Sequence, residues 1–176
     1  MDAFEKLVQD DLHGYLKMMG EMDAMLPEAE DISGKWTSIA SHYLEDGIRE
    51  FGNYPMAALG WMMYVGMAVA QFWDGDWRYY NSVENLYDTL RSPRGYDAMD
   101  EYIMDEVLSL DKKQQDELQN IVGECAARTL SNLRRQRIEP STPEAYHAFV
   151  AGLHQLYLMG AFMQLHRLGY HMERLG

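Results

Sequence analysis

The stretch YPMAALGWMMYVGMAVAQFW, residues 54–73, decides the fold of this chain. It contains no charged residue, and a helix of about 20 residues is long enough to cross the hydrocarbon core of a bilayer. Its composition argues against insertion, because Leu59, Val65 and Val69 are its only strongly apolar aliphatic residues and acidic residues flank it. We therefore expect a soluble protein without a membrane partner, in which this helix is buried at the centre of a bundle, since a helix that is apolar on all sides is normally a buried one.

A second segment without formal charge covers residues 145–166 and predicts a partner for the first. Two such helices in one domain indicate a central pair, about 54–73 and 143–174, that amphipathic helices surround. A gapless shift of 93 residues aligns identical residues, Ala58 with Ala151, Tyr64 with Tyr157, Ala68 with Ala161 and Gln71 with Gln164. Divergent duplication and convergence on one buried-helix composition both explain this similarity.

Helical periodicity continues through nearly the whole chain, and few Val, Ile and Thr residues argue against a sheet. Thr142 and Pro143 give the clearest helix start, as an N-cap followed by proline at the first helical position. Because the predicted connections are short, we expect a single-domain, all-α bundle of residues 1–176 with mostly antiparallel neighbours. About seven helices are predicted, at residues 3–26, 36–51, 54–73, 77–91, 96–108, 112–136 and 143–174.

Glycines inside the two uncharged segments predict a close approach between helices. Gly60, Gly66, Gly152 and Gly160 each reduce helix stability by about 1 kcal/mol relative to alanine. Close packing of two backbones is the usual reason why such a residue is retained, and small residues four positions apart permit it.

The charge of the chain restricts its partners and its location. The formal net charge is −13, which disfavours nucleic acid and anionic lipid as partners. Cys125 is the only cysteine, so an intramolecular disulfide is excluded, and the acidic N-terminal sequence does not resemble a signal peptide. We expect a cytoplasmic protein. A basic cluster is interpreted as a complement to the C-terminal dipole of a predicted helix, and it comprises Arg128, Arg134, Arg135 and Arg137.

The aligned stripes of the two uncharged helices form the candidate ligand site. Spacings of three, four and three residues place each stripe on one helix face. Polar side chains around Ala68 and Ala161 are typical of a small-ligand pocket between the third and last helices. Alternatively, these side chains only hydrogen-bond each other or nearby backbone. The candidate pocket residues are Trp61, Tyr64, Gln71, His154, Tyr157 and Gln164.

A second candidate site is a metal-binding site. Glu144 and His147 have the Glu-x-x-His spacing found in half of a carboxylate-bridged di-iron centre. We expect His42, with Glu45 and Asp46, to face this motif from the second helix. The chain lacks the second Glu-x-x-His motif that a complete centre requires. The dipole at the start of the last helix also explains Glu144.

No catalytic signature or cofactor motif occurs in the chain, so the sequence leaves open whether it is an enzyme and predicts no cofactor. Fourteen Met and twelve Tyr residues are typical of adaptable interfaces. The sequence therefore favours a binding or interaction module that associates with itself as a homo-oligomer or with another protein. The alternative is a small-ligand or metal-binding bundle that uses one of the two candidate sites.

Overall fold

The computed structural model describes residues 1–172, which form an all-α helical bundle, as the sequence predicts. The helices of this part of the chain are α1 (Ala3–Met18), α2 (Glu30–Ser33), α3 (Trp36–Asn53), α4 (Pro55–Ser82), α5 (Leu86–Arg91), α6 (Met99–Tyr102), α7 (Lys112–Arg135) and α8 (Pro143–Arg167). A 3-10 turn (Tyr96–Ala98) precedes α6, and a π-helical turn (Ile103–Val107) follows it. The helix beyond the seven expected is the short α2.

Helix α1 ends at Met18, so the predicted end at residue 26 is wrong. Gly20 has φ of +75° and terminates the helix in the left-handed conformation. The amide of Glu21 donates to the Leu16 carbonyl at 2.8 Å, and the Gly20 amide donates to the Lys17 carbonyl at 3.0 Å. These two bonds form a Schellman motif, which satisfies carbonyls that the helix end would otherwise leave unpaired.

Helix α8 ends in the same way and is also shorter than predicted. It stops at Arg167, and Gly169 has φ of +100°. The Tyr170 amide donates to the Leu165 carbonyl at 3.0 Å, which turns the chain away from the helix axis. Residues 168–172 therefore lie beyond the helix, and residues 173–174 of the predicted helix lie outside the described part of the chain.

Helix α4 extends past the predicted end at residue 73 and contains a break. Asp76 has non-helical φ and ψ of −141° and 71°, and its carboxylate accepts a hydrogen bond from the Tyr79 amide at 3.3 Å. Asp76 thus caps a helical segment, as the sequence predicts. That segment ends at Ser82 and α5 begins at Leu86, so the single helix predicted over residues 77–91 is wrong.

Helices α4 and α8 form the centre of the bundle. Pro55 and Pro143, which begin α4 and α8, line one cleft, and Gln71 bonds Gln164 nearer the other ends of the two helices, so the helices lie side by side and run in the same direction. By length and composition both helices could cross a membrane, and 72% and 83% of their most apolar windows are buried inside the fold. Helices α1, α3 and α7 pack around this pair.

Two glycines bring the backbones of α4 and α8 together. A Cβ atom on Gly66 would overlap the Tyr157 carbonyl oxygen and lie 3.0 Å from the Ala161 nitrogen. A Cβ atom on Gly160 would overlap the Met63 carbonyl oxygen and lie 3.2 Å from the Met63 Cα. Each glycine therefore sits on a carbonyl of the opposite helix, where only a hydrogen atom fits.

The 93-residue shift seen in the sequence has a counterpart in the packing. The Gln164 Nε2 donates to the Gln71 Oε1 at 2.9 Å, so these two matched residues bond each other. Gly66 and Gly160 occupy reciprocal positions, because each lies opposite the carbonyl three residues before the other glycine. Both duplication and convergence produce such a pair of helices.

Candidate ligand-binding cleft

The α4 side of the predicted pocket is occupied by internal contacts. The Trp61 Nε1 donates to the Tyr96 carbonyl at 2.8 Å, and its ring meets the Tyr64 ring edge-on at 6.0 Å between centroids. Tyr64 is 2% exposed, and burial raises the pKa of its phenol. Gln71 accepts the hydrogen bond from Gln164 described above.

The α8 side of the predicted pocket is also engaged within the fold. The Tyr157 hydroxyl donates to the Ile32 carbonyl at 2.6 Å, which anchors α2 on the central pair. His154 stacks on Trp36 at 4.9 Å between centroids, and its Nδ1 lies 3.4 Å from the Glu5 Oε1. These contacts are those expected of polar groups in a packed helix interface.

None of the three clefts described below is lined by any of the six predicted pocket residues. The two stripes contribute to packing between helices, and a ligand role for them stays a prediction. The only thiol, that of Cys125, is also buried, and this burial raises its pKa to about 12. A thiol of that pKa is a poor nucleophile at neutral pH.

The four predicted metal ligands do not form one cluster within residues 1–172. The His42 Nδ1 contacts the Ser38 carbonyl of its own helix at 2.9 Å, and the His147 Nε2 lies 3.4 Å from the Asp2 carboxylate. Among residues 1–172, no three of His42, Glu45, Glu144 and His147 place ligand atoms within 4.8 Å of one another. A metal role for these four residues stays a prediction.

A cleft of about 950 Å³ opens between α3, α7 and α8. We call it the α7–α8 cleft, because the loop that connects α7 to α8 forms part of its wall. Its lining is mostly apolar, with Phe51 and Phe149 in contact at 4.3 Å between ring centroids. It is lined by Ile48, Phe51, Gly52, Pro55, Leu130, Leu133, Arg134, Ile138, Pro140, Ser141, Thr142, Pro143, Ala145, Tyr146, Ala148 and Phe149.

Prolines and a helix cap fix the walls of the α7–α8 cleft. Pro55 begins α4, and Pro143 begins α8 directly after the N-cap Thr142. The Thr142 hydroxyl oxygen accepts from the Ala145 amide at 3.2 Å and donates to the Glu139 carbonyl at 2.7 Å. Proline has a fixed φ, so the loop that closes the cleft has few alternative conformations.

Three exposed arginines border the α7–α8 cleft. Arg134 lines it, and Arg135 and Arg137 line an adjoining cleft of about 650 Å³ that shares Pro55, Leu130 and Arg134 with it. Within residues 1–172 none of the three arginines forms an ion pair with a carboxylate. The cluster therefore offers guanidinium groups that the described part of the fold does not neutralise.

Arg128, the fourth member of the basic cluster, differs from the other three. It contacts Glu124 and Asp11 at 2.9 Å each and covers the Tyr15 ring. Arg128 thus connects α7 to α1. Arg134 lies in the last turn of α7, so its charge complements the helix dipole as the sequence predicts. This favourable charge interaction does not occupy the hydrogen-bond donors of the guanidinium, which can still bind an anion.

The α7–α8 cleft could not be predicted from the sequence, because its lining comes from distant parts of the chain. The available signal was the density of prolines, since Pro55, Pro140 and Pro143 all lie on it, together with the adjacent arginines. Chemically, an apolar cleft beside guanidinium groups suits a ligand with an apolar body and an anionic head.

Comparison of the chain with protein-family models, curated proteins and solved structures gave no match.

Proposed function

We propose that this protein is a binding module that holds an amphipathic anion in the α7–α8 cleft. One observation carries the proposal: an apolar cleft of about 950 Å³ borders arginines that lack carboxylate partners within residues 1–172 of a chain with net charge −13. We also propose that the protein is soluble and cytoplasmic. Burial of most of the apolar surface of α4 and α8 supports solubility.

The size and lining of the α7–α8 cleft support an apolar ligand body. Ligand sites are typically concave, mostly apolar and about 300–1,000 Å³ in volume. Phe51, Phe149 and Leu133 supply apolar surface, and Arg134 lies at the same cleft. A medium-length alkyl chain with a single anionic head matches both parts of this site.

The charge pattern supports an anionic rather than a cationic head. Arginine binds a carboxylate or phosphate through two parallel hydrogen bonds, and such charge-assisted bonds are about twice as strong as neutral ones. Most of the acidic surface repels anions, so the arginine cluster is a local exception where an anion is attracted. Because the arginines are exposed, their attraction will weaken as salt screens it.

Calorimetric titration tests this function with decanoate and decyltrimethylammonium, which share an alkyl chain and differ in the sign of the head group. We expect decanoate to bind about tenfold or more tightly than the cation, since one charge-assisted hydrogen bond contributes about 1.5–3 kcal/mol. Arg134→Glu should remove most of this preference. Ala145→Trp, which fills the α7–α8 cleft, should weaken both ligands.

Arg78→Glu is the matched control, because it makes the same charge change at an exposed position beyond the break in α4. It should leave decanoate affinity within about a factor of two, as expected for a distant and screened charge. Equal affinities of Arg134→Glu and Arg78→Glu for decanoate would contradict the proposed function. Equal binding of the two head groups to the natural chain would contradict it as well.

Self-association is a second candidate function, favoured by exposed apolar residues at the same end of the bundle. Ile48 and Tyr146 line the α7–α8 cleft and are 52% and 49% exposed, and Met56 and Tyr54 nearby are 40% and 65% exposed. Apolar groups concentrated in this way are typical of protein interfaces. Two copies that meet through this end would cover these residues.

Light scattering across a concentration series tests self-association. We expect the average mass to rise toward a dimer and Tyr146→Asp to return it to the monomer, since a buried carboxylate without a partner is strongly unfavourable. Tyr79→Asp is the control, because Tyr79 is 58% exposed and lies beyond the break in α4. A monomer at every concentration, or equal effects of the two variants, would contradict this candidate.

A further inference from the structure

A separate cluster of metal-ligating side chains lies at the far end of α8. Asp23 belongs to the irregular segment after α1, and His166 belongs to the last turn of α8. The turn at Gly169, with φ of +100°, brings His171 back beside His166. Within the part of the chain that the structure describes, these three residues form the one group whose potential ligand atoms all lie within 4.8 Å of one another.

Two distances within this cluster match those between ligands of one zinc ion. The His166 Nε2 and the His171 Nδ1 each lie 3.4 Å from the same oxygen, Asp23 Oδ1. Charge-assisted hydrogen bonds between nitrogen and oxygen are shorter, at about 2.7–2.9 Å. Ligands bound tetrahedrally at about 2.0–2.1 Å from zinc are separated by about 3.3–3.4 Å, which is the separation of each histidine nitrogen from the carboxylate oxygen.

Outer contacts hold the carboxylate in place. The Met172 amide donates to the other Asp23 oxygen, Oδ2, at 2.7 Å. The His13 Nε2 donates to the Asp23 backbone carbonyl at 2.8 Å. Asp23 therefore keeps Oδ1 directed at the two imidazoles, and outer contacts of this kind orient ligands in natural metal sites.

The surroundings of the cluster favour a cation. His171 also lines a cleft of about 480 Å³ together with Glu28, Glu30 and Asp31, whose carboxylates attract positive charge. Arg167, the nearest basic residue along α8, is held by Glu21 through two hydrogen bonds of 2.9 Å. Its charge is thus paired and does not oppose a metal ion at the cluster.

We propose that Asp23, His166 and His171 form a site for a divalent zinc ion. Two neutral imidazoles and one carboxylate are a ligand set that zinc accepts in tetrahedral geometry. Three protein ligands leave the fourth position for water or a ligand that enters from the adjoining cleft. This site is distinct from the α7–α8 cleft and does not depend on it.

Calorimetric titration of the full chain with zinc chloride at pH 7.5 tests the site. We expect about one equivalent of zinc to bind, and His171→Ala or Asp23→Asn to weaken binding by roughly tenfold or more, since even outer-shell changes weaken metal sites by about 10–100-fold. His171 is 52% exposed, so its removal should leave the fold intact. Histidine nitrogen NMR shifts should change at His166 and His171 when zinc is added.

His147→Ala is the matched control, because His147 also lies 3.4 Å from a carboxylate but has no second imidazole in its group within residues 1–172. The His147→Ala variant should bind zinc with the same affinity as the natural chain. Unchanged zinc affinity in both His171→Ala and Asp23→Asn would overturn the site. Magnesium binding as tight as that of zinc would also overturn it, because it would indicate attraction by the acidic surface alone.

Discussion

Replacing Gly66 or Gly160 with alanine is expected to destabilise the fold strongly. The added methyl group would overlap a carbonyl oxygen of the opposite helix, and main-chain atoms on both sides leave no side chain that could move aside. Overpacking a core costs about 1–3 kcal/mol or more, and backbone overlap places these variants at the upper end. Thermal denaturation should show Tm lowered by about 10 °C.

The cost arises because α4 and α8 must separate along their shared length. Met63 and Tyr157 sit directly over the two glycines, so a wider spacing would loosen contacts above and below them. The Gln71–Gln164 hydrogen bond of 2.9 Å would lengthen as well. We therefore expect each variant to lose stability over the whole α4–α8 interface and not only at the substituted residue.

Gly14→Ala and Gly123→Ala are matched controls in α1 and α7. An added Cβ atom at either position has no neighbouring atom within 4 Å. Both variants should gain up to about 1 kcal/mol, since alanine stabilises a helix interior relative to glycine. If Gly66→Ala and Gly160→Ala were as stable as these controls, the close approach of α4 and α8 in this structure would be wrong.

Much of the fold could be predicted from hydrophobic periodicity, because packing and helix formation favour the same residues in this chain. The absence of charge over residues 54–73 and 145–166 predicts central helices, and α4 and α8 are central. The helix ends were less predictable. Gly20 and Gly169 terminate helices by adopting positive φ, whereas other glycines such as Gly66 continue a helix, and local sequence does not separate the two cases.

The candidate sites were harder to predict than the fold because they join residues that are distant along the chain. The α7–α8 cleft combines α3, the start of α4 and the end of α7 with the loop before α8. The proposed zinc site joins Asp23 to His166 and His171, which lie more than one hundred residues later in the chain. Spacing rules select candidate ligands on one helix, such as Glu144 and His147, and they miss a group that tertiary packing assembles.

Replacing Asp46 with alanine is the second change expected to have a large effect. Asp46 lies in α3, is 8% exposed, and accepts hydrogen bonds from the Tyr87 hydroxyl at 2.6 Å and from the Arg91 Nε at 2.9 Å. Its removal would leave the Tyr87 hydroxyl buried without its acceptor. We expect a loss of about 2–3 kcal/mol in the free energy of unfolding, measured by urea denaturation.

The two donors to Asp46 should contribute unequally. Burial, together with Asp46, raises the pKa of Tyr87, so its hydroxyl remains a protonated donor at neutral pH, and its side chain is 2% exposed. The Arg91 side chain is 44% exposed, so water can replace its contact with Asp46. Arg91→Met should therefore cost less than about 1 kcal/mol, as is typical for an ion pair with one partner in water.

A double-mutant cycle with Tyr87→Phe separates the hydrogen bond from the rest of the Asp46 effect. Tyr87→Phe leaves the carboxylate with Arg91 and removes only the hydroxyl, so it should cost about 1–2 kcal/mol. The double variant should be more stable than the sum of the two losses predicts, because no buried hydroxyl is left without an acceptor. Strict additivity would mean that Asp46 stabilises α3 independently of Tyr87, and the bond between α3 and α5 would then contribute little to the fold.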